Sequence, residues 1–155
     1  MNIPIDIRQA TRTDIPALVG LQHQLFSIEQ AFHPDPEKQY RGLELLLTSD
    51  LAQVYVAEQS GRVVGMLTVQ ILISTAQGGP VGLVEDVVVD AAHRGQGIGE
   101  AMLKHLRQWS LRQGLSRLQL LADQDNKRAL EFYRKQAWTT TDLIGLRLLL
   151  PPAGP

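Results

Sequence analysis

The chain has 155 residues, with 15 Lys plus Arg against 16 Asp plus Glu and no cysteine. So even a balance gives no broad electrostatic basis for a nucleic-acid or anionic-membrane partner, and the missing thiols exclude disulfides, thiolate nucleophiles and thiolate metal sites. No apolar run approaches the roughly 20 residues that a membrane span needs, and the start, "MNIPIDIRQATRTD", has no apolar signal core. A single domain over residues 1–150 working in the cytoplasm is expected, followed by a frayed tail at 151–155, "PPAGP".

In chain order, Ile5 to Ala10 alternates as a strand. A helix follows, with Thr13 as its N-cap, Pro16 in the first turn, and Ile15, Leu18, Leu21, Leu25 and Ile28 at helical spacing. "FHPDPEK", Phe32 to Lys38, reads as a breaker cluster before a short second helix over Tyr40 to Leu47. Two strands around the Ser60-Gly61 turn predict a hairpin, and Ala76 to Pro80 a loop. "VGLVEDVVVD", Val81 to Asp90, is apolar enough for a strand covered on both faces.

A helical stripe then runs through Ile98, Ala101, Met102, His105, Leu106 and Trp109 to a stop at Gly114. Ser116 to Asp123 predicts the next strand, Asn126 to Gln136 a helix, and "TTTDLIGLRLLL" one or two closing strands. A hairpin beside a strand–helix–strand unit implies a mixed sheet.

Between the valine-rich strand and the long helix lies "RGQGIG", Arg94 to Gly99. A strand, a loop and a helix start bring unpaired N–H groups and the positive end of a helix dipole to one spot, which suits an anion. Glycines there let a phosphate approach the main chain, and Arg94 adds a charged donor; a plain tight turn explains the glycines equally well. A Gly-Lys-Ser/Thr ending is absent, and a Gly-x-Gly-x-x-Gly fingerprint fails at Met102 or at Glu100 according to its start. Arg/Gln-x-x-Gly-x-Gly/Ala is satisfied in full.

That pattern, with "IRQATRTDIPALVGL", "VEDVVVDAAHRGQGIGEAML" and "LLADQDNKRALEFYRKQAW", resembles the GCN5-related N-acetyltransferases over nearly the whole chain. The resemblance implies an α+β fold: a twisted mixed sheet of six to seven strands with about four helices, splayed between the Val81–Asp90 and Ser116–Asp123 strands. It implies that acetyl-CoA is held by Arg94, Gly95, Gln96, Gly97, Ile98 and Gly99 at its pyrophosphate. Val87, Val88, Val89 and Asn126 would hold its pantetheine arm, and Tyr133 would lie near the sulfur. Asn126 also reads as a helix N-cap, and Tyr133 as a core aromatic.

Glu85 and Asp86 interrupt the most apolar strand, so at least one carboxylate must find a partner or a wet cavity. A structural ion pair satisfies that; so does a site for a cation, such as an acceptor amine. With an amine pKa near 10.4, only about one molecule in a few thousand is nucleophilic at pH 7, so a proton acceptor is needed. "VEDVVV" is similar to the form found in polyamine acetyltransferases of the family, which implies Glu85 as base and Asp86 as a holder of the charged substrate; the choice between them stays open. His33 and Tyr40 fall where the family builds its acceptor pocket and are substrate-contact candidates.

The four histidines show no metal-ligand spacing, and no metal is expected. The expected reaction is acetyl transfer from acetyl-CoA to a small cationic primary amine by direct attack in a ternary complex. Alternatives are a protein N-terminus or lysine as acceptor, a coenzyme A-binding module without catalysis and, more remotely, a nicotinamide oxidoreductase. No nucleic-acid or membrane partner is expected, and the apolar end could support a homodimer by analogy with the family. Ala137 and Trp138 depart from the family's glycine–aromatic pair after the last helix; a left-handed Ala137 would cost about 1 kcal/mol relative to glycine.

Overall fold

The computed structural model describes residues 3–29 and 33–153, so Phe32 of the breaker cluster and the last two tail residues lie outside the described residues. The chain divides into two compact units, Met1–Leu120 and Leu121–Pro155.

The first unit carries a five-stranded sheet in the order β1-β2-β3-β4-β5, from β1 (Asp6–Gln9), β2 (Ala52–Gln59), β3 (Arg62–Ser74), β4 (Gly79–Val89) and β5 (Leu118–Leu120). The first four strands pair antiparallel; β4 and β5 pair parallel. Ser60 and Gly61 both have positive φ, 53° and 74°, as a two-residue hairpin turn between right-twisted strands requires.

Helices cover both faces of the sheet. Val54 and Val56 of β2 join a core with Ile15, Leu18 and Leu21 of α1 (Ile15–Ile28) and Leu43 of α2 (Pro36–Thr48). Tyr55, between them, points the other way and meets His105 and Trp109 of α3 (Ile98–Arg112), with ring centroids 4.6 and 6.3 Å apart. The period-two alternation of a strand thus serves two helical layers, and His105 is a packing residue. Arg8 on β1 donates to Asp14 at 2.8 and 3.0 Å and to Glu58 at 2.9 Å, clamping the entry to α1.

Several boundaries differ from the sequence expectation. Thr13 is not the N-cap of α1: a 3-10 turn over Arg12–Asp14 comes first, and Asp14 precedes the helix, its carboxylate accepting from the Thr11 amide at 2.7 Å. The second helix starts inside the expected breaker cluster, because Asp35 caps it, accepting from Lys38 N, and Pro36 takes the first turn, where a missing N–H costs nothing. Strand β5 is shorter than expected and pairs with β4 only over Gly82–Val84.

The second unit contains α4 (Lys127–Lys135), capped by Asn126, whose side chain accepts from Ala129 N at 3.1 Å. Ala137 sits at φ 67°, and the Trp138 and Ala137 amides donate to the Tyr133 and Arg134 carbonyls at 3.0 and 3.1 Å, a left-handed helix end built on alanine. The closing strands expected in "TTTDLIGLRLLL" are not formed among the described residues. Strand propensity alone does not pair a backbone, and Leu143, Ile144, Leu146, Leu148, Leu149 and Leu150 are all at least 78% exposed.

Candidate active site

Strand β4 holds the chemistry because its regularity fails in the middle. Thr68 pairs with Glu85 and Met66 with Val88, so Leu67 alone on β3 faces two residues, Asp86 and Val87. This is a β-bulge, and its first residue, Asp86, sits at φ 53°, where glycine is the usual occupant. Aspartate is among the few other residues that tolerate it. The Thr68 hydroxyl donates to the Glu85 carbonyl at 3.2 Å and secures the kink.

The bulge re-aims both acids toward a cavity of about 550 Å³ between α1, α2, β3 and β4. Its polar wall is Gln22, Gln39, Thr68, Gln70, Glu85 and Asp86; Phe26, Leu43 and Leu46 supply apolar surface, and Lys38 and Ser49 also line it. Glu85 is exposed, whereas Asp86 is half-buried and accepts from Gln22 Nε2 at 3.0 Å. Burial pushes the Asp86 pKa up to about 6, against the Gln22 hydrogen bond, and the neighbouring Glu85 charge adds to the rise. Neither acid forms an ion pair among the described residues, so the expected structural alternative is not what satisfies them.

The two faces of the strand's far end do separate work. The ladder to β5 stops at Val84–Leu120, so among the described residues no strand pairs with Val87 to Val89 on that side. On that side the Val89 carbonyl accepts from Arg94 Nε, and among the described residues no strand covers the Val87 main chain. Val88 is 5% exposed and packs into the core with α1, and its main chain pairs with Met66 of β3.

Beyond β4, the Asp90 carboxylate accepts from Gln24 Nε2 at 2.8 Å and from His93 Nδ1 at 2.6 Å, and the Ala91 amide donates to Gln24 Oε1 at 3.1 Å. These contacts, Gln24 first, hold the Asp90 pKa below the usual carboxylate range. The clasp fixes the turn that delivers Arg94, whose Nε donates to the Val89 carbonyl at 3.1 Å. Gly95 and Gly97 follow at φ 77° and 82°, and a Cβ built on either meets no atom within 4 Å. The glycines are therefore required by backbone conformation and leave open space above the loop. Gly97 is the N-cap of α3 and supplies no side-chain cap, while Ile98 is 1% exposed and pins the helix start into the core. Exposed amides, a helix start and Arg94 fit a diphosphate-bearing group.

The structure brings Glu85 and Asp86 to one cavity and Arg94 to Gly99 to one loop. It does not bring His33 or Tyr40 to the cavity. Tyr40 is 41% exposed beside Arg12, one position round α2 from Gln39, and His33 is exposed ahead of the helix. On α4, the Tyr133 ring lies tilted beside Phe132 and meets Trp138 edge-on, with centroids 5.3 and 5.8 Å apart. Asn126 is the cap already described, using its side-chain oxygen. Gln22, Gln39 and Gln24 were not singled out by sequence. The available signal was a polar residue on a core stripe: Gln22 lies four after Leu18, and Gln39 four before Leu43. Among the described residues no group of three His, Asp or Glu side chains could hold a metal ion, and no helix is long and apolar enough to cross a membrane.

A strand that carries a bulged acid pair and then runs into a phosphate-suited helix start is compatible with acyl transfer from a nucleotide-bearing donor. Comparison with known proteins makes this specific: the chain belongs to the acetyltransferase (GNAT) family, whose model matches residues 22–138. It is thus an acetyl-CoA-dependent acyltransferase of the N-acetyltransferase type. It is similar to a glucosamine 6-phosphate N-acetyltransferase of Trypanosoma brucei brucei, 32% identical over 102 residues, which are 61% of this chain and 67% of the relative. The chain spans 67% and 62% of the lengths of two curated relatives it matches.

Among solved structures, a transcriptional regulator from Bacillus halodurans C-125 superposes with a TM-score of 0.83 at 25% identity, over 95% of this chain and all of that one. A predicted acetyltransferase from Clostridium acetobutylicum, solved with acetyl-CoA, has a TM-score of 0.76 at 20% identity, covering 93% of this chain and 96% of its own. Among the described residues the fold is the mixed sheet and four helices expected for the family, with five strands where six or seven were anticipated.

Proposed function

We propose that the protein transfers the acetyl group of acetyl-CoA to the primary amine of a small cationic molecule, by direct attack in a ternary complex within one acetyltransferase domain. The observation that carries this reading is the pair of carboxylates at one bulge, lining a cavity whose volume suits a small ligand.

In this reading the loop from Arg94 to Gly99, with Gln96 and the Ile98 amide, holds the pyrophosphate. The main chain of Val87 to Val89 pairs with the pantetheine arm, and Asn126 contacts the same arm. The acceptor nitrogen attacks the acetyl carbon; a carbon–nitrogen bond forms and the carbon–sulfur bond breaks. A backbone N–H near Val87 or Val88 polarises the carbonyl oxygen, and Val87 is the one the bulge leaves out of the ladder. The ammonium proton passes to a carboxylate, and Tyr133 gives its phenolic proton to the departing thiolate.

The family resemblance favours Glu85 as the base and leaves the choice open. Burial and a pKa of about 6 support Asp86 instead, since a base is most effective near the working pH, and they leave exposed Glu85 to attract the cation. An amino sugar is one acceptor within this class, supported by the name of the trypanosomal relative. The exposed leucine-rich end supports self-association as a homodimer, and the lack of cysteine suits work in the cytoplasm.

Thiol release measured against polyamines, amino sugars, aminoglycosides, amino acids and short peptides tests the proposal. Turnover with a small amine, lost in Asp86→Asn and Tyr133→Phe, is expected. Turnover with peptides alone would move the acceptor to a protein chain. Tight acetyl-CoA binding with no transfer to any amine would mean a coenzyme-binding module.

A further inference from the structure

Gln22 and Gln39 occupy positions where the stripes of α1 and α2 otherwise place apolar side chains, and both are buried, at 4% and 9% exposure. Burying a primary amide costs free energy unless its hydrogens and lone pairs are met. Here they are met in series. The Asp35 amide donates to Gln39 Oε1 at 3.1 Å, Gln39 Nε2 donates to Gln22 Oε1 at 3.2 Å, and Gln22 Nε2 donates to Asp86 Oδ2 at 3.0 Å. The second Gln39 hydrogen reaches the Val19 carbonyl at 3.5 Å.

The direction of this chain is forced from both ends. A backbone N–H can only donate and an ionised carboxylate can only accept, so neither amide can flip without setting two donors or two acceptors against each other. Along the series from Asp35 through Gln39 and Gln22, each donor therefore points toward Asp86.

We propose that Gln22 and Gln39 are positioning residues, forming a one-way relay from the N-cap of α2 that engages Asp86 Oδ2 and reserves Oδ1 for the acceptor's proton. The role rests on the reading of Asp86 as base. Donors aimed at a carboxylate favour its charged form, and bonds in series polarise one another, so the relay opposes the desolvation of this site. The other groups facing Asp86 are Glu85 on its own strand, whose charge disfavours ionisation, and Thr68, Gln70 and Lys38, which line the same cavity from β3 and α2. Because the chain begins at the Asp35 amide, a change at the start of α2 is transmitted to the carboxylate through two side chains.

Two measurements decide the matter. The first, on the wild-type protein, follows the side-chain amide resonances of Gln22 and Gln39 by 15N NMR from pH 4.5 to 8, and needs no acceptor. Both are expected to titrate with one shared midpoint, that of Asp86; resonances that stay still or move with different midpoints overturn the relay.

The second is the pH profile of kcat/KM for acetyl transfer. Gln22→Met should raise the acid-side inflection by about one pH unit and lower kcat about tenfold, with the KM for acetyl-CoA unchanged. Gln39→Met, which does not touch the carboxylate, should move it the same way by less, and the double variant should add nothing to Gln22→Met. Additive effects, or no movement in the inflection, refute series coupling. Were the wild type to acetylate no amine, the functional reading would fall, and the NMR titration would still decide the relay.

Discussion

Replacing Asp86 by asparagine should make the protein more stable and nearly inactive. Folding raises the Asp86 pKa from 3.8 to about 6, so holding its charge in the folded state costs about 3 kcal/mol at neutral pH. Asparagine has the same shape, tolerates the positive φ of the bulge, and can accept the Gln22 hydrogen bond through its carbonyl oxygen. The raised pKa already includes the help of that bond, so the variant gains about 3 kcal/mol at pH 7.5. The sign follows from proton binding. Between about pH 4 and 6 the folded protein keeps a proton that the unfolded chain releases, so wild-type stability falls as pH rises through that window and is level above it. The variant lacks this slope. Urea denaturation followed by circular dichroism should show the full difference at pH 7.5 and almost none near pH 4. A variant less stable than its parent at pH 7.5, or equally favoured at both pH values, would refute the account. Acetyl transfer should fall at least a hundredfold.

Wild-type kcat/KM for the acceptor should rise with pH through an inflection at about 6 as Asp86 ionises, a limb that a stopped pH series reads directly. Ala137→Gly should stabilise the protein by about 0.5–1 kcal/mol, visible as a rise of a few degrees in Tm, because Ala137 holds a left-handed backbone. Gly97→Ala should weaken acetyl-CoA binding at least tenfold by calorimetry: the added methyl meets open space, but a φ of 82° strains any side chain and shifts the helix start. Gly82→Ala should cost about 1–3 kcal/mol in chemical denaturation, since its Cβ would lie 2.6 Å from Leu118 and 3.1 Å from Val69 where β4 meets β5.

Much of the site was legible because it rests on local rules. Within Arg94 to Gly99, Gly95 and Gly97 mark a loop with positive φ, and the Ser60-Gly61 hairpin and the left-handed Ala137 follow from the same backbone logic. The start of α2 was equally local: Asp35 followed by Pro36 is an N-cap and a first-turn proline, read instead as a break because two prolines stood close together. The rest depends on long-range pairing. Nothing in "VEDVVV" fixes which acid is buried until β3 sets the register and the bulge turns both toward one cavity. The glutamine relay joins residues 17 and 64 positions apart, and amides lack the charge that draws attention to carboxylates. The terminal "LIGLRLLL" has the composition of a strand, but composition does not supply the neighbouring backbone that a strand needs.

The left-handed backbone at Asp86 also limits which substitutions this enzyme can explore. Glutamate, one methylene longer, would extend the reach of the proton acceptor, but it is poorly suited to that torsion, whereas Glu85 next door stands in ordinary extended chain. Reach at position 86 is thereby set by the main chain, and the replacements that meet that torsion with least strain are glycine and asparagine, both without an ionisable group. In a saturation library, well-folded proteins without turnover should gather at those two codons, and adaptation to new acceptors is left to the glutamines and leucines of α1 and α2.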